Sequence, residues 1–257
     1  MSSINNAIIL AAGHGSRMGA LTAERPKALL EVAGYPLIDR QIDALTLSGV
    51  KNITVVTGYK HHRLHEHLGT RVSYVHNERY SKSNSLYSLW LARDVIRHGA
   101  VVMNSDILVS PVLVARLLGT PAHDAALIDP RDDMGAEEMK VRLSNGFIAE
   151  FSKDMAVHRA HGENVGILKF GRQGGTRLAQ HLDNLVQIGM TNAWAPLAFG
   201  ALAREWPLVA VSTHRIPWTE IDFPEDLARA ERILAPKLAV MGSDSGTGAG
   251  VKPRMAA

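Results

Sequence analysis

Arg17, Lys27 and the glycines around them form a set that could hold phosphates. The stretch reads Leu10-Ala-Ala-Gly13-His-Gly15-Ser-Arg17-Met-Gly19, and Pro26-Lys27 follows. Glycines let backbone N–H groups come close to an anion. The guanidinium of Arg17 offers a planar fork of donors, and Lys27 a mobile point charge behind a stiff proline. Together they describe a nucleoside triphosphate held by its phosphates. Leu10, Ala11, Ala12, Gly13, His14, Gly15 and Ser16 would supply the main chain around it.

Two other phosphate loops are excluded. A P-loop needs Gly-Lys-Ser/Thr at the mouth of a helix, and the chain has no Gly-Lys pair. A dinucleotide-binding turn needs G-x-G-x-x-G and an acid at the end of the second strand. Here the third glycine comes one residue late, and the strand read at Ile53–Thr57 runs into Gly58-Tyr59.

The elements that must carry these residues alternate along the chain. Apolar runs predict strands at Ala7–Ala11, Ile53–Thr57, Val72–His76, Ala100–Met103 and Ala125–Asp129. Helical patterns fall at Pro36–Ser48, Lys60–Leu68, Ser85–Arg97 and Pro111–Leu118, with Pro36 and Pro111 in first turns. Lys140–Leu143 and Phe147–Phe151 read as a hairpin turning at Asn145-Gly146. Then come a strand at Val165–Phe170, a helix from Gly174 to Ile188, a late strand at Arg215–Ile221 and a last helix at Pro224–Leu234. This is an α/β order with a mostly parallel sheet. A single domain is expected over residues 1–235, and the Gly/Ser-rich stretch in 236–257 is expected to be disordered.

The motif Leu10–Met18, with Arg25-Pro-Lys-Ala-Leu-Leu30 and Gly34-Tyr-Pro-Leu-Ile38, resembles the signature of the sugar-phosphate nucleotidylyltransferase superfamily. Within it, the chain is most similar to the small cytidylyltransferases that activate phosphocholine or phosphonates such as 2-aminoethylphosphonate. The resemblance implies a Rossmann-like nucleotidyltransferase fold. It also implies transfer of CMP from CTP to a small phosphate or phosphonate, with release of pyrophosphate. UTP or a sugar 1-phosphate as substrate, and a non-catalytic nucleotide-binding protein, are the alternatives.

Both substrates of such a reaction are anions, so Mg²⁺ and carboxylates to hold it are expected. Asp106 follows the strand Ala100–Met103, at the edge where open α/β sheets bind ligands. Ser110, directly before Pro111, is better placed to cap the next helix. Asp222 stands in Trp218-Thr-Glu-Ile-Asp222-Phe-Pro-Glu-Asp226 and has two readings. By itself it is a good N-cap with Glu225 in a capping box. The resemblance makes it a metal ligand, as it does Asp106. Glu220 is a weaker candidate, since strand alternation points it away from Asp222.

The resemblance also implies that Lys153 reaches the acceptor phosphate and that Glu163 touches the acceptor. A solvated turn lysine and an exposed acid are the plain alternatives. Asn84 has the donor and acceptor to read a pyrimidine edge. Ser85 stands where the phosphocholine branch has a second Asn, and would serve as an N-cap. Trp194 and Trp218 are the aromatic candidates near an acceptor, since aromatic faces bind quaternary ammonium groups. The run His61-His62-Arg-Leu-His65-Glu-His67 reads as a solvated helix face.

Composition agrees with a globular enzyme. Of 257 residues, 46% are hydrophobic, the net charge is +3 and cysteine is absent, which excludes disulfides and Cys-ligated metals. No basic-aromatic block points to nucleic acid, and no apolar run approaches a membrane span. The expected partners are CTP and the acceptor, the expected setting is the cytoplasm, and a homodimer is left open.

Overall fold

The structure is a computed structural model describing residues 4–234 and Pro236. The segment expected to be disordered, 236–257, lies outside the described residues apart from Pro236. Strand β1 (Asn6–Ala11) shows how the molecule is layered. Its alternate residues face two cores. Ala7, Ile9 and Ala11 join one apolar cluster, and Ile8, Leu10 and Ala12 the other. A strand buried on both sides must be apolar throughout, as this one is.

The other elements arrange themselves around it. A two-residue ribbon, β2 (Glu31–Val32) with β3 (Tyr35–Pro36), precedes helix α1 (Leu37–Leu47). Then come β4 (Asn52–Thr57), α2 (His61–Leu68), β5 (Ser73–His76), α3 (Ser85–Leu91) and α4 (Arg93–Arg97). Next are β6 (Ala100–Asn104), β7 (Ile107–Val109), α5 (Pro111–Gly119) and β8 (Ala125–Asp129). The hairpin β9 (Lys140–Ser144) and β10 (Phe147–Ser152) leads to β11 (Gly162–Phe170) and α6 (Arg172–Gln187). The chain continues through α7 (Pro196–Ala203), β12 (Val209–Ser212), β13 (Trp218–Glu220) and α8 (Pro224–Arg229).

Nine strands form one sheet in the order β5-β4-β1-β6-β11-β8-β12-β10-β9. Neighbours of β1 are parallel to it, while β11 and β10 run against the rest. Helices α1, α2 and α5 cover one face, and α3, α4, α6 and α7 the other. The carboxyl ends of β1, β4, β6 and β8 therefore share one edge with the amino end of antiparallel β11.

A short antiparallel ribbon stands outside this sheet, pairing Trp218 with Val109 and Glu220 with Ile107. Beneath it lies a third apolar cluster of Met18, Leu30, Val32, Leu37, Leu108, Ile221, Ala230 and Leu234. It joins the glycine turn to the end of the described chain. Each such aliphatic side chain stabilises the fold by about 1.5–3 kcal/mol when fully buried.

Several expectations shift. Helix Ser85–Arg97 is two helices that meet at Ala92, whose φ is −95° and ψ 12°. Pro36 precedes the first turn of α1 and pairs with Glu31 instead. The late strand expected at Arg215–Ile221 shortens to β13, Arg215 lies with His214 in a turn at positive φ, and β12 before that turn is a main-sheet strand the sequence did not announce. The hairpin turns at Asn145 and Gly146, both left-handed, as its sequence requires.

Candidate functional site

The glycine turn leaves β1 at the sheet edge. Gly15 has a φ of 66°, and a Cβ there would meet the Cβ of Lys27 at 3.0 Å. Any other residue would strain the turn and press on Lys27. At Gly13 a Cβ would meet nothing within 4 Å. No packing within the protein requires a glycine there, so the missing side chain leaves open space in the cleft. Thr22 closes the turn by donating from Oγ1 to the Gly15 carbonyl at 2.9 Å.

Lys27 is almost wholly buried and bridges two carboxylates. Its Nζ lies 3.1 Å from Oδ2 of Asp106 and also donates to Oδ1 of Asp222. Burial works against its charge, but Asp106 and Asp222 outweigh it, so its pKa stands above that of a free lysine. Arg17 reaches the same group, with Nη2 2.7 Å from Oδ2 of Asp222. Lys27 thus joins carboxylates that lie 79 and 195 positions from it along the chain.

Helix capping does not compete for Asp222. Phe223 occupies the N-cap position, and Asp226 takes up the N–H groups of Asp222 and Phe223 at 3.1 and 2.9 Å. The capping box read around Asp222 and Glu225 is therefore displaced by one residue, and the Asp222 carboxylate is left for the cleft.

The alternation argument for Glu220 also fails. Residues two apart in an extended segment share a face, so alternation sets Glu220 beside Asp222 instead of parting them. Oxygen atoms of Asp106, Glu220 and Asp222 all lie within 4.8 Å of one another. Burial, then repulsion from Asp106 and Asp222, pushes the Glu220 carboxyl up to about 8. Oδ1 of Asp106 is buried with no hydrogen-bond partner. Three hard oxygen donors, one of them unpartnered, suit a divalent cation such as Mg²⁺. The ammonium of Lys27 now bridges two of them.

A cleft of about 700 Å³ opens from this point, within the range of small-ligand sites. Leu10, Ala11, Ala12, Gly13, Gly15, Ser16, Arg17 and Lys27 line it on one side, and Asn84, Ser85, Lys153, Glu163 and Trp194 on the other. His14 does not line it; its ring meets Tyr59 edge-on at 4.1 Å. Trp218 does not line it either. It packs on the first core and borders a second cavity of about 440 Å³ beside α8. The reason is local, since β13 pairs with β7 and turns Trp218 away from the main opening.

The far wall is built from loops. Asn84, not Ser85, caps α3, accepting from the Ser85 N–H at 2.8 Å. Ser85 Oγ instead accepts from the Ala195 N–H at 2.9 Å, which ties the Trp194 loop to the helix. Lys153 Nζ stands 4.6 Å from the centre of the half-exposed Trp194 ring. Glu163 is buried and held by Nη1 of Arg131 at 3.0 Å. Burial lifts its carboxyl to about 7 against the pull of Arg131.

Glu137 had no signal in the sequence, being one of four acids in the irregular loop between β8 and β9. Its Oε2 lies 3.0 Å from Arg17 and 3.3 Å from Lys153, so it spans the mouth of the cleft. The three basic residues that would meet phosphates each rest on a carboxylate.

Comparison with known proteins gives this arrangement its class. Its fold is shared by nucleotidyltransferases of known structure. The chain belongs to the MobA-like NTP transferase domain family, whose model matches residues 7–206. It is 31% identical over 235 residues to the bifunctional IPC transferase and DIPP synthase of Rubrobacter xylanophilus, covering 89% of this chain but only 51% of that protein. It is 30% identical over 191 residues to the CTP:phosphoglutamine cytidylyltransferase of Campylobacter jejuni, covering 65% of this chain and 74% of the relative. The solved structure of CTP:phosphocholine cytidylyltransferase from Streptococcus pneumoniae shares the fold, with a TM-score of 0.74 at 22% identity over 91% of this chain and 100% of that one. Among the described residues, no helix is long and apolar enough to cross a membrane.

Proposed function

We propose that this protein transfers CMP from CTP to a small phosphate or phosphonate acceptor, of the phosphocholine or 2-aminoethylphosphonate kind, and releases pyrophosphate. The observation that carries the reading is the meeting of Asp106 and Asp222 on Lys27 beside the glycine turn. The names of its relatives, which use CTP on phosphorylated small molecules, support it.

The amides of the glycine turn and the guanidinium of Arg17 would bind the triphosphate. Lys27 would turn its ammonium to the α-phosphate and offset charge that builds on the departing pyrophosphate. Lys153 would hold the acceptor oxyanion in line with the α-phosphorus. A new acceptor O–P bond forms as the bond to the pyrophosphate oxygen breaks. No side chain has to act as nucleophile, because positioning and charge neutralisation lower the barrier. Asp106 and Asp222, with Glu220 beside them, would hold Mg²⁺, which when bound relieves repulsion between the two anionic substrates. Glu163 and Trp194 would face the body of the acceptor. The cytoplasm, where CTP is made, is the setting for this reading.

A coupled assay of pyrophosphate release tests it. CTP with Mg²⁺ should give turnover with phosphocholine or 2-aminoethylphosphonate. Turnover only with UTP and a sugar 1-phosphate would move the assignment to the other branch. Turnover with none of these, alongside tight CTP binding, would favour a non-catalytic role.

A further inference from the structure

Gln41 lies on α1, lines neither cavity and is 3% exposed. Its side-chain nitrogen nonetheless spans the turn that carries Asp106. Nε2 donates to the Asn104 carbonyl at 3.0 Å and to the Ile107 carbonyl at 2.9 Å. An amide NH₂ has two protons, and both are used. The opposite amide orientation would set oxygen against two carbonyl oxygens, so the chemistry fixes which way it points.

The two carbonyls bracket Asp106, one at the end of β6 and one at the start of β7. From the other side, the Ile221 N–H donates to the Asp106 carbonyl at 2.8 Å. The turn is therefore clamped between α1 and the strand that leads into Asp222. The separation of the two carboxylates depends on this clamp, because β7 and β13 each have three residues and lie outside the main sheet.

We infer that Gln41 is a positioning residue, holding the Asn104–Ile107 turn so that Asp106 stays in register with Asp222 for a divalent cation. The inference rests on the proposed function. Groups that orient metal ligands without touching the metal commonly affect affinity by about 10–100-fold.

Mn²⁺ alone is the probe, its free signal followed by electron paramagnetic resonance during titration of the protein. Gln41→Met keeps the length and loses both donors. It should weaken Mn²⁺ binding by about 10-fold or more and lower kcat, with little change in KM for CTP at saturating Mg²⁺. Gln41→Asn keeps the amide but is one methylene short, and should fall between Met and wild type. It also serves as the reporting variant, by the same criterion, if Gln41→Met does not fold. Leu45→Val loosens the same helix at a buried apolar site and removes no hydrogen-bond donor, and should lower Tm while leaving Mn²⁺ affinity intact. Wild-type Mn²⁺ affinity in both Gln41 variants, or equal weakening by Leu45→Val, would overturn the role of Gln41. A wild-type protein that binds no Mn²⁺ would instead sink the cation reading, and this inference with it.

Discussion

Strand β1 and the β7–β13 ribbon deliver groups to the same ammonium by opposite means. The first is at the centre of a nine-stranded sheet, buried on both faces and flanked by parallel neighbours on each side. The second is a pair of three-residue strands resting on a small apolar cluster. The glycine turn inherits its position from a large core. Asp222 owes its position to a small apolar cluster that holds its neighbour Ile221 together with Met18. A rigid glycine turn thus faces a carboxylate wall that small changes can displace.

Removing the shared group breaks the comparison most severely. Lys27→Ala should lower kcat by about 10³-fold with an unchanged far-UV circular dichroism spectrum, because it empties the cleft rather than a core. Near-wild-type turnover would show that the meeting point is structural. Asp226→Ala attacks only the ribbon side, by freeing the N–H groups of Asp222 and Phe223. It should cost about 1 kcal/mol of stability and several-fold in activity, read by thermal melting and by pyrophosphate release. An activity loss without any change in Tm would contradict the capping role.

Glu163 sharpens the comparison through pH. Its folded pKa of about 7 lies above its unfolded value of 4.5. The native state therefore holds its proton longer, and the fold loses that contribution as pH rises between these values. The Tm of wild type relative to Glu163→Gln should fall by about 3 °C between pH 5 and pH 8. A constant difference would mean that Glu163 is ionised throughout. The smallest effect belongs to Glu137→Gln. Freeing Arg17 and Lys153 from an exposed partner should lower KM for CTP two- to three-fold, since surface pairs of this kind contribute about 0.2–1 kcal/mol. A raised KM would make Glu137 a contributor to binding instead.

The rigid side was legible in the sequence and the ribbon side was not. Ala7–Ala11 is an unbroken apolar run, and Gly13, Arg17 and Lys27 lie within one local stretch whose chemistry can be read from neighbours. Asp222 could be read two ways because its surroundings, Pro224 and Glu225, are also those of a helix cap. The choice depended on Asp226 reaching back to the N–H groups of Phe223 and Asp222, which spacing does not reveal. Glu220 was misjudged because residues two apart in an extended chain share a face, which sets it beside Asp222. Helix α7 gave no periodic signal, since Pro196–Ala203 is apolar on nearly every side. Gln41 and Glu137 act through contacts 63 and 120 positions away along the chain, and no local pattern marks either one.

The apolar knot of Met18, Ile221 and Leu234 has a bearing on where this protein can be cut. The shared family region ends at residue 206, yet Glu220, Asp222 and part of the apolar floor under the glycine turn, Ile221, Ala230 and Leu234, come from later residues. A fragment stopped at that border would keep most of the large sheet, β12 aside, and lose Glu220, Asp222 and the packing beneath Met18. On the proposed function, the smallest piece able to do chemistry would extend at least to Leu234, and its last strand and helix would belong to the machinery as much as the glycine turn does.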